Sequence, residues 1–134
     1  MKTNKYTFRV YYEDTDMAGV VYYANYLRFI ERARSDHVRE IGIDQLEMKD
    51  DLGIVFVVRR IEADYVQAAR FGDVLEIESW LSELTGVRMV YQQIVRRGES
   101  LVFSASVTVV CMNNAGRPVR FPAEIRHKLE KSLH

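Results

Sequence analysis

One feature limits the possible folds of this chain more than any other. A single long stripe of apolar residues at helical spacing stands alone in a sequence that otherwise alternates. Tyr22, Tyr26, Ile30, Ala33, His37 and Ile41 step by four or three, and Leu27, Phe29 and Val38 widen the stripe. The opposite face carries Arg28, Glu31, Arg32, Asp36, Arg39 and Glu40, with Arg32 and Asp36 spaced to pair across one turn. Gly42 stands where a helix C-terminus favours glycine. A helix striped in this way must bury its stripe, and the rest of the chain offers only sheet to bury it against.

That sheet is legible in the two-residue period. Phe8, Val10 and Tyr12 alternate with Thr7, Arg9 and Tyr11 as a short first strand. From Gly53 the run "GIVFVVRRIEADYVQAA" is rich in β-branched residues, with Val57, Ile61, Ala63 and Tyr65 on one side and Arg60, Glu62 and Asp64 on the other. The runs "DVLEIESWLSEL", "VRMVYQQIVRR" and "SLVFSASVTVVCM" are separated by turns at Thr85-Gly86 and Arg97-Gly98-Glu99, which predicts an antiparallel meander. Asn113 to Arg117 reads as a further turn before "PVRF", and Pro122 has the chemistry to open a terminal helix with Ile125 and Leu129 on one face. The expectation is an α+β layer, one long central helix wrapped by a curved antiparallel sheet. Residues 1–134 read as a single domain, with the outer sheet face and edges free for dimerisation.

Composition removes several classes of function. Lys+Arg and Asp+Glu are equal at 19 each, so no overall field recruits nucleic acid or anionic membrane, and an anionic ligand would need local arginines. A lone Cys111 excludes an internal disulfide framework and suits a reducing, cytoplasmic compartment. The first residues lack the apolar core and cleavage site of a signal peptide, and no apolar run reaches spanning length. His37, His127 and His134 show no ligand spacing, so a metal site is not expected. His37 reads as packing on the helix's apolar side, and Cys111, within "SVTVVCM", as core. Nucleotide-binding glycine motifs and a serine nucleophile elbow are missing too.

Two places resist a purely structural reading. Glu13, Asp14 and Asp16 precede the helix, where carboxylates complement the macrodipole and cap free amides. The same physics serves catalysis: amides at a helix start can hold a developing oxyanion, and a nearby ionised carboxylate can activate water or attack an acyl carbon. Gly19 permits either an ordinary turn or close approach of a substrate to the backbone. Arg59 falls in step with Val57, Ile61, Ala63 and Tyr65, so it must reach solvent, a partner or an anion. Arg88 opens a strand after the Thr85-Gly86 turn, and Arg60, Arg70, Arg96 and Arg97 are further cations of mostly surface character. Tyr11, Tyr12, Tyr22, Tyr23 and Tyr26 suit either core packing or an aromatic acyl pocket.

The stretch "YYEDTDMAGVVYYANYLRFIERAR", with "FVVRRIEADYVQAARFGDVLEIES" and "VTVVCMN", closely resembles the hotdog-fold acyl-CoA thioesterases of the 4-hydroxybenzoyl-CoA thioesterase family, in their YbgC, Tol-Pal-associated branch. The resemblance spans nearly the whole chain. It implies a hotdog fold, hydrolysis of acyl-CoA without metal or redox cofactor, and active sites between subunits of a homodimer or homotetramer. By position it makes Asp16 the catalytic carboxylate, as nucleophile or as general base, and the backbone N–H of Tyr23 the donor to the thioester carbonyl. Gly19 belongs to the same turn, Tyr26 to the substrate pocket, and Arg59 and Arg88 are the choices for CoA phosphate contact. Members of the branch often read "VVYHANY", so Tyr23 replaces a histidine side chain while keeping the backbone donor. The alternative is a non-catalytic acyl-CoA-binding or scaffold protein on the same fold. A hotdog dehydratase would need a histidine near the acidic loop, and this chain has none there.

Overall fold

The structure is a computed structural model and describes residues 3–134. Its elements run β1 (Asn4–Arg9), α1 (Asn25–Glu40), α2 (Gln45–Leu52), β2 (Ile54–Tyr65), β3 (Val74–Leu84), β4 (Arg88–Arg97), β5 (Ser100–Asn113), β6 (Pro118–Val119) and α3 (Ala123–Lys131). The strands form one antiparallel sheet in the order β1-β3-β4-β5-β2, and β6 pairs with the far end of β5. The meander β3-β4-β5 is therefore present as expected, with β1 and β2 at the two edges.

The sheet curls around α1. Tyr26, Phe29, Ile30, Ala33, His37 and Val38 are the buried face of the helix, matching the apolar stripe. They pack on inward residues of the strands, among them Leu75 and Ile77 of β3, Tyr91 and Val95 of β4, and Phe103 and Val107 of β5. Tyr6 and Phe8 of β1 close the layer from one side. Hydrophobic burial of this size is the main driving force for such a fold. Cys111 lies fully inside the core, and burial pushes its thiol up to about 12. Among the described residues, no helix is long and apolar enough to cross a membrane.

Three details depart from the sequence reading. The helix begins at Asn25, later than the stripe, so Tyr22 is exposed on a turn and does not join the core. The first strand ends at Arg9, and Tyr12–Asp14 form a short 3-10 turn instead of continuing it. The short helix α2 was not anticipated. Asp44 caps it by accepting from the amides of Leu46 and Glu47, and Gly53, at φ 65°, ends it. Only Met48 of α2 is buried, which explains why no apolar period announced it.

A fourth departure alters the reading of Arg59. Val58 pairs with Val109 and Arg60 with Thr108, so Arg59 is the extra residue of a β-bulge. The bulge shifts the phase of β2. Phe56 and Val58 share the inner face with Cys111 and Val109, then Ile61, Ala63 and Tyr65 resume it opposite Val107, Ala105 and Phe103. Val57, opposite Val110, belongs to the outer face. Arg59 is thus not a charge set into an apolar face; it is exposed at the break between two phases.

Candidate active site

The acidic loop divides its three carboxylates between different tasks. Asp14 is structural: its carboxylate accepts from the Tyr11 amide at 2.8 Å. Its carbonyl takes the Tyr22 amide and the Asn25 side chain, both at 2.9 Å. This is the capping role expected of an acid before a helix, moved one loop upstream. Glu13 is exposed. Asp16 opens a turn in which Gly19 N–H returns to its carbonyl at 2.9 Å, with Gly19 at φ 78°. Substituting Gly19 would meet no crowding but would have to occupy the left-handed region.

The Asp16 side chain is exposed. Its Oδ1 accepts from the Ala18 amide at 2.9 Å, which fixes the carboxylate over the turn. Among the described residues, Oδ2 meets no donor. Val20 and Val21 tie the loop to the segment before β3, through a bridge to Arg70 and a bond from the Val21 amide to the Ala69 carbonyl at 2.8 Å. The loop is thereby clamped on both sides.

Tyr22 and Tyr23 follow, their rings 4.9 Å apart. The neighbouring Tyr23 hydroxyl raises the Tyr22 pKa, and the negative charge of Asp16 adds a smaller push in the same direction. The Tyr23 carbonyl accepts from the Tyr65 hydroxyl of β2 at 3.0 Å. Among the described residues, its amide has no acceptor. No acidic residue lies in the first turn of α1 and no side chain caps it, so the positive end of the helix is left unneutralised. A carboxylate, a free amide and a bare helix start therefore sit within a few residues of one another. That is an arrangement suited to a polarised carbonyl and an attacking oxygen.

Tyr26 is placed differently from a pocket-lining residue. It is 3% exposed and stacks on Phe103 with centroids 4.8 Å apart and planes 4° from parallel. Its ring also meets Tyr65 edge-on, with centroids 5.7 Å apart. Arg59 and Arg88 are brought together with Arg60, Ser106 and Thr108 around a cavity of about 550 Å³ on the outer face of the sheet. Arg88 is ion-paired with Glu83. Tyr65, beside Tyr23, is paired with Phe103, whereas Arg88 is paired with Val110. The arginine cavity thus lies on the other face and toward the other end of the sheet from Asp16 of the same chain.

One functional-looking residue escaped the sequence reading. Arg34 turns inward from α1 and donates to Oε1 of the buried Gln93 at 3.0 Å. The Gln93 amide nitrogen donates in turn to the Ile30 carbonyl at 2.8 Å and to Ser79 Oγ at 2.9 Å. The available signal was Gln93 itself, the one polar residue in step with Met89, Tyr91 and Val95.

A long helix wrapped by a curved antiparallel sheet defines a hotdog protein, and the solved structures agree. A probable thioesterase from Bartonella henselae superposes with a TM-score of 0.86 at 35% identity, covering 90% of this chain and 99% of that one. The model of the thioesterase-like superfamily matches residues 10–129. An acyl-CoA thioesterase YbgC from Haemophilus influenzae is 38% identical over 94% of this chain and 95% of its own length. An acyl-CoA thioester hydrolase YbgC from Escherichia coli is 39% identical over 81% of each. The chain belongs to the thioesterase-like superfamily.

Proposed function

We propose that this chain hydrolyses acyl-CoA to a free acid and CoA at the start of α1. The observation that carries the proposal is one clamped loop that holds both the exposed Asp16 carboxylate and the unpaired Tyr23 amide and leads into an uncapped helix N-terminus. The YbgC relatives, named as acyl-CoA thioesterases, support the substrate class. The thioester carbonyl oxygen accepts from Tyr23 N–H, and the helix dipole favours the negative charge that gathers there. In one route, Asp16 attacks the carbonyl carbon, the C–S bond breaks, CoA leaves as thiolate and is protonated by water, and a second water cleaves the resulting anhydride. In the other, Asp16 takes a proton from the water that attacks the carbonyl directly, the tetrahedral adduct expels CoA as thiolate with cleavage of the C–S bond, and the proton on Asp16 passes to that thiolate. Both give the same products and regenerate the carboxylate.

The site is open in a single chain. Tyr11, Tyr12, Tyr22, Tyr23, Tyr65 and Phe71 are all exposed around it, and the outer edge of β2 is unpaired. A homodimer or homotetramer with the site between subunits would cover this surface. It would also allow Arg59 and Arg88, remote from Asp16 within one chain, to meet the phosphates of CoA held by another. The single buried thiol suits a cytoplasmic setting.

The test is thiol release from short, long and aromatic acyl-CoAs by the native chain and by Asp16→Asn. Loss of the carboxylate should lower turnover by about 10²–10⁴-fold, the range for a positioned base, with the oligomer intact. One observation favours the rival reading of a non-catalytic acyl-CoA-binding protein: Asp16 already closes its own turn through Ala18. Equal turnover in both proteins would remove Asp16 from the mechanism, and CoA binding without turnover in either would decide for that rival.

A further inference from the structure

A groove runs between α1 and the inner face of β2. Leu27, Glu31, Arg34 and Val38 of α1 recur at spacings of four or three and so line one side of the helix, with Tyr23 just before its start. Tyr65 meets Tyr23 at one end of this groove. At the other end Phe56, Val58, Met89 and Val109 close with Arg34 and Val38 around a cavity of about 240 Å³. The groove therefore starts near the proposed carbonyl-binding amide and ends in a mixed cavity, where the Arg34 guanidinium shares an apolar floor with Glu31, Ser35 and Gln45.

That guanidinium is unusual. Arg34 is half-buried, and its only hydrogen bond among the described residues goes to a neutral partner, Gln93. Burial lowers its pKa, with Glu31 and Tyr91 opposing. Glu31, one turn earlier and on the same cavity, could pair with it; instead its carboxylate accepts from Ser35 Oγ at 2.8 Å. Gln93 cannot turn away, because its amide is held by Ile30 and Ser79. The cation is thus fixed inward with donors left over, in surroundings where an unpaired charge is costly. A planar fork of this kind matches a carboxylate. Arg34 is tied through Gln93 to Ile30, which lies roughly 7–8 Å along the helix from its first residue, Asn25, at the usual helical rise.

We propose that Arg34 is a specificity residue which reads the far end of the acyl group, favouring acyl-CoAs that end in a carboxylate over plain alkanoyl-CoAs. The inference rests on the thioesterase reading for its substrate. The acyl chain lies along Leu27 and Ile61, and its terminal carboxylate takes the free donors of Arg34 in place of water. Glu31, exposed at the rim, remains with Ser35.

The experiment compares kcat/KM for adipoyl- and suberoyl-CoA with hexanoyl- and octanoyl-CoA in the native chain, Arg34→Met and Arg34→Lys. The native chain should prefer the carboxylated series by about tenfold or more, as a buried charged hydrogen bond allows, chiefly through KM. Arg34→Met should abolish or reverse that ratio, and Arg34→Lys should keep part of it. Should Arg34→Met fail to fold, Arg34→Gln, which can still donate to Gln93, takes its place. Calorimetric titration with free suberate supplies a readout without turnover: binding to the native chain and none to the neutral variant. If neither series is hydrolysed but suberate binds through Arg34, the carboxylate site stands and the thioesterase reading falls. If alkanoyl-CoAs are hydrolysed at a ratio that Arg34 does not affect, the thioesterase reading stands and this inference is overturned.

Discussion

The start of α1 and its middle treat polar groups in opposite ways. At the start, the Asp16 carboxylate and the Tyr23 amide are exposed and short of partners, held in place through backbone bonds of the loop. In the middle, Gln93 is fully buried and uses both amide protons and its oxygen, and His37 meets the Tyr91 hydroxyl at 2.5 Å. Buried polar groups that satisfy one another specify the packing and are costly to disturb. Exposed ones with spare valence cost the fold little and are free to meet a ligand. Stability and chemistry should therefore separate along one helix.

Three measurements would break or sharpen that separation. The largest contrast is between Gln93→Ala and Asp16→Asn. Removing Gln93 takes the side-chain partner from Ser79 and Arg34, and an extra bond from the Ile30 carbonyl, and with the void it leaves should cost about 3 kcal/mol in urea unfolding. Asp16→Asn should move the same curve by less than about 1 kcal/mol while turnover collapses. Comparable losses of stability would refute the division.

The next effect is a pH slope. Burial holds His37 below the usual imidazole range, with Glu40 opposing, so the folded protein keeps it neutral where the unfolded chain takes a proton. Below about pH 6.5, the unfolded value, the unfolded state binds more protons and stability falls as pH falls, until the folded value is reached. The contribution is at most about 1.4 kcal/mol per pH unit for one proton. Urea unfolding of the native chain and His37→Gln, from about pH 7.5 to about 5, should show a steeper loss in the native chain. Parallel curves would mean that His37 titrates normally.

The smallest effect falls on the hinge between the two regions. Tyr65→Phe removes the hydroxyl that holds the Tyr23 carbonyl. It should cost about 1 kcal/mol of stability or less, and turnover should drop several-fold as the Tyr23 peptide loses its anchor. Unchanged turnover would mean that the loop alone positions the amide.

Much of this was legible in the sequence, for physical reasons that also mark its limits. The helix stripe, the meander and Pro122 at the terminal helix follow from side-chain period and turn chemistry, which are local. The phase of β2 was not, because one unpaired residue at Arg59 reverses the alternation and nothing in "VVRRIE" shows where it falls. Tyr26 suits pocket or core, and its stacking on Phe103 is a tertiary contact that no local pattern shows. Arg34 escaped because an arginine on a helix is ordinarily solvated; its inward turn depends on Gln93, distant in sequence. Asp16 and Tyr23 were singled out by a long motif, whereas the clamping of their loop by Ala69, Arg70 and Tyr65 is tertiary.

The burial of Cys111 has a practical consequence. As the chain's single thiol, fully enclosed and resistant to ionisation, it is silent toward thiol-reactive dyes while the protein is folded. A chromogenic assay of released CoA therefore starts from a clean baseline. The same thiol becomes a built-in gauge of opening: the rate at which Cys111 is alkylated, in native buffer and without denaturant, counts the excursions in which the strands around it part.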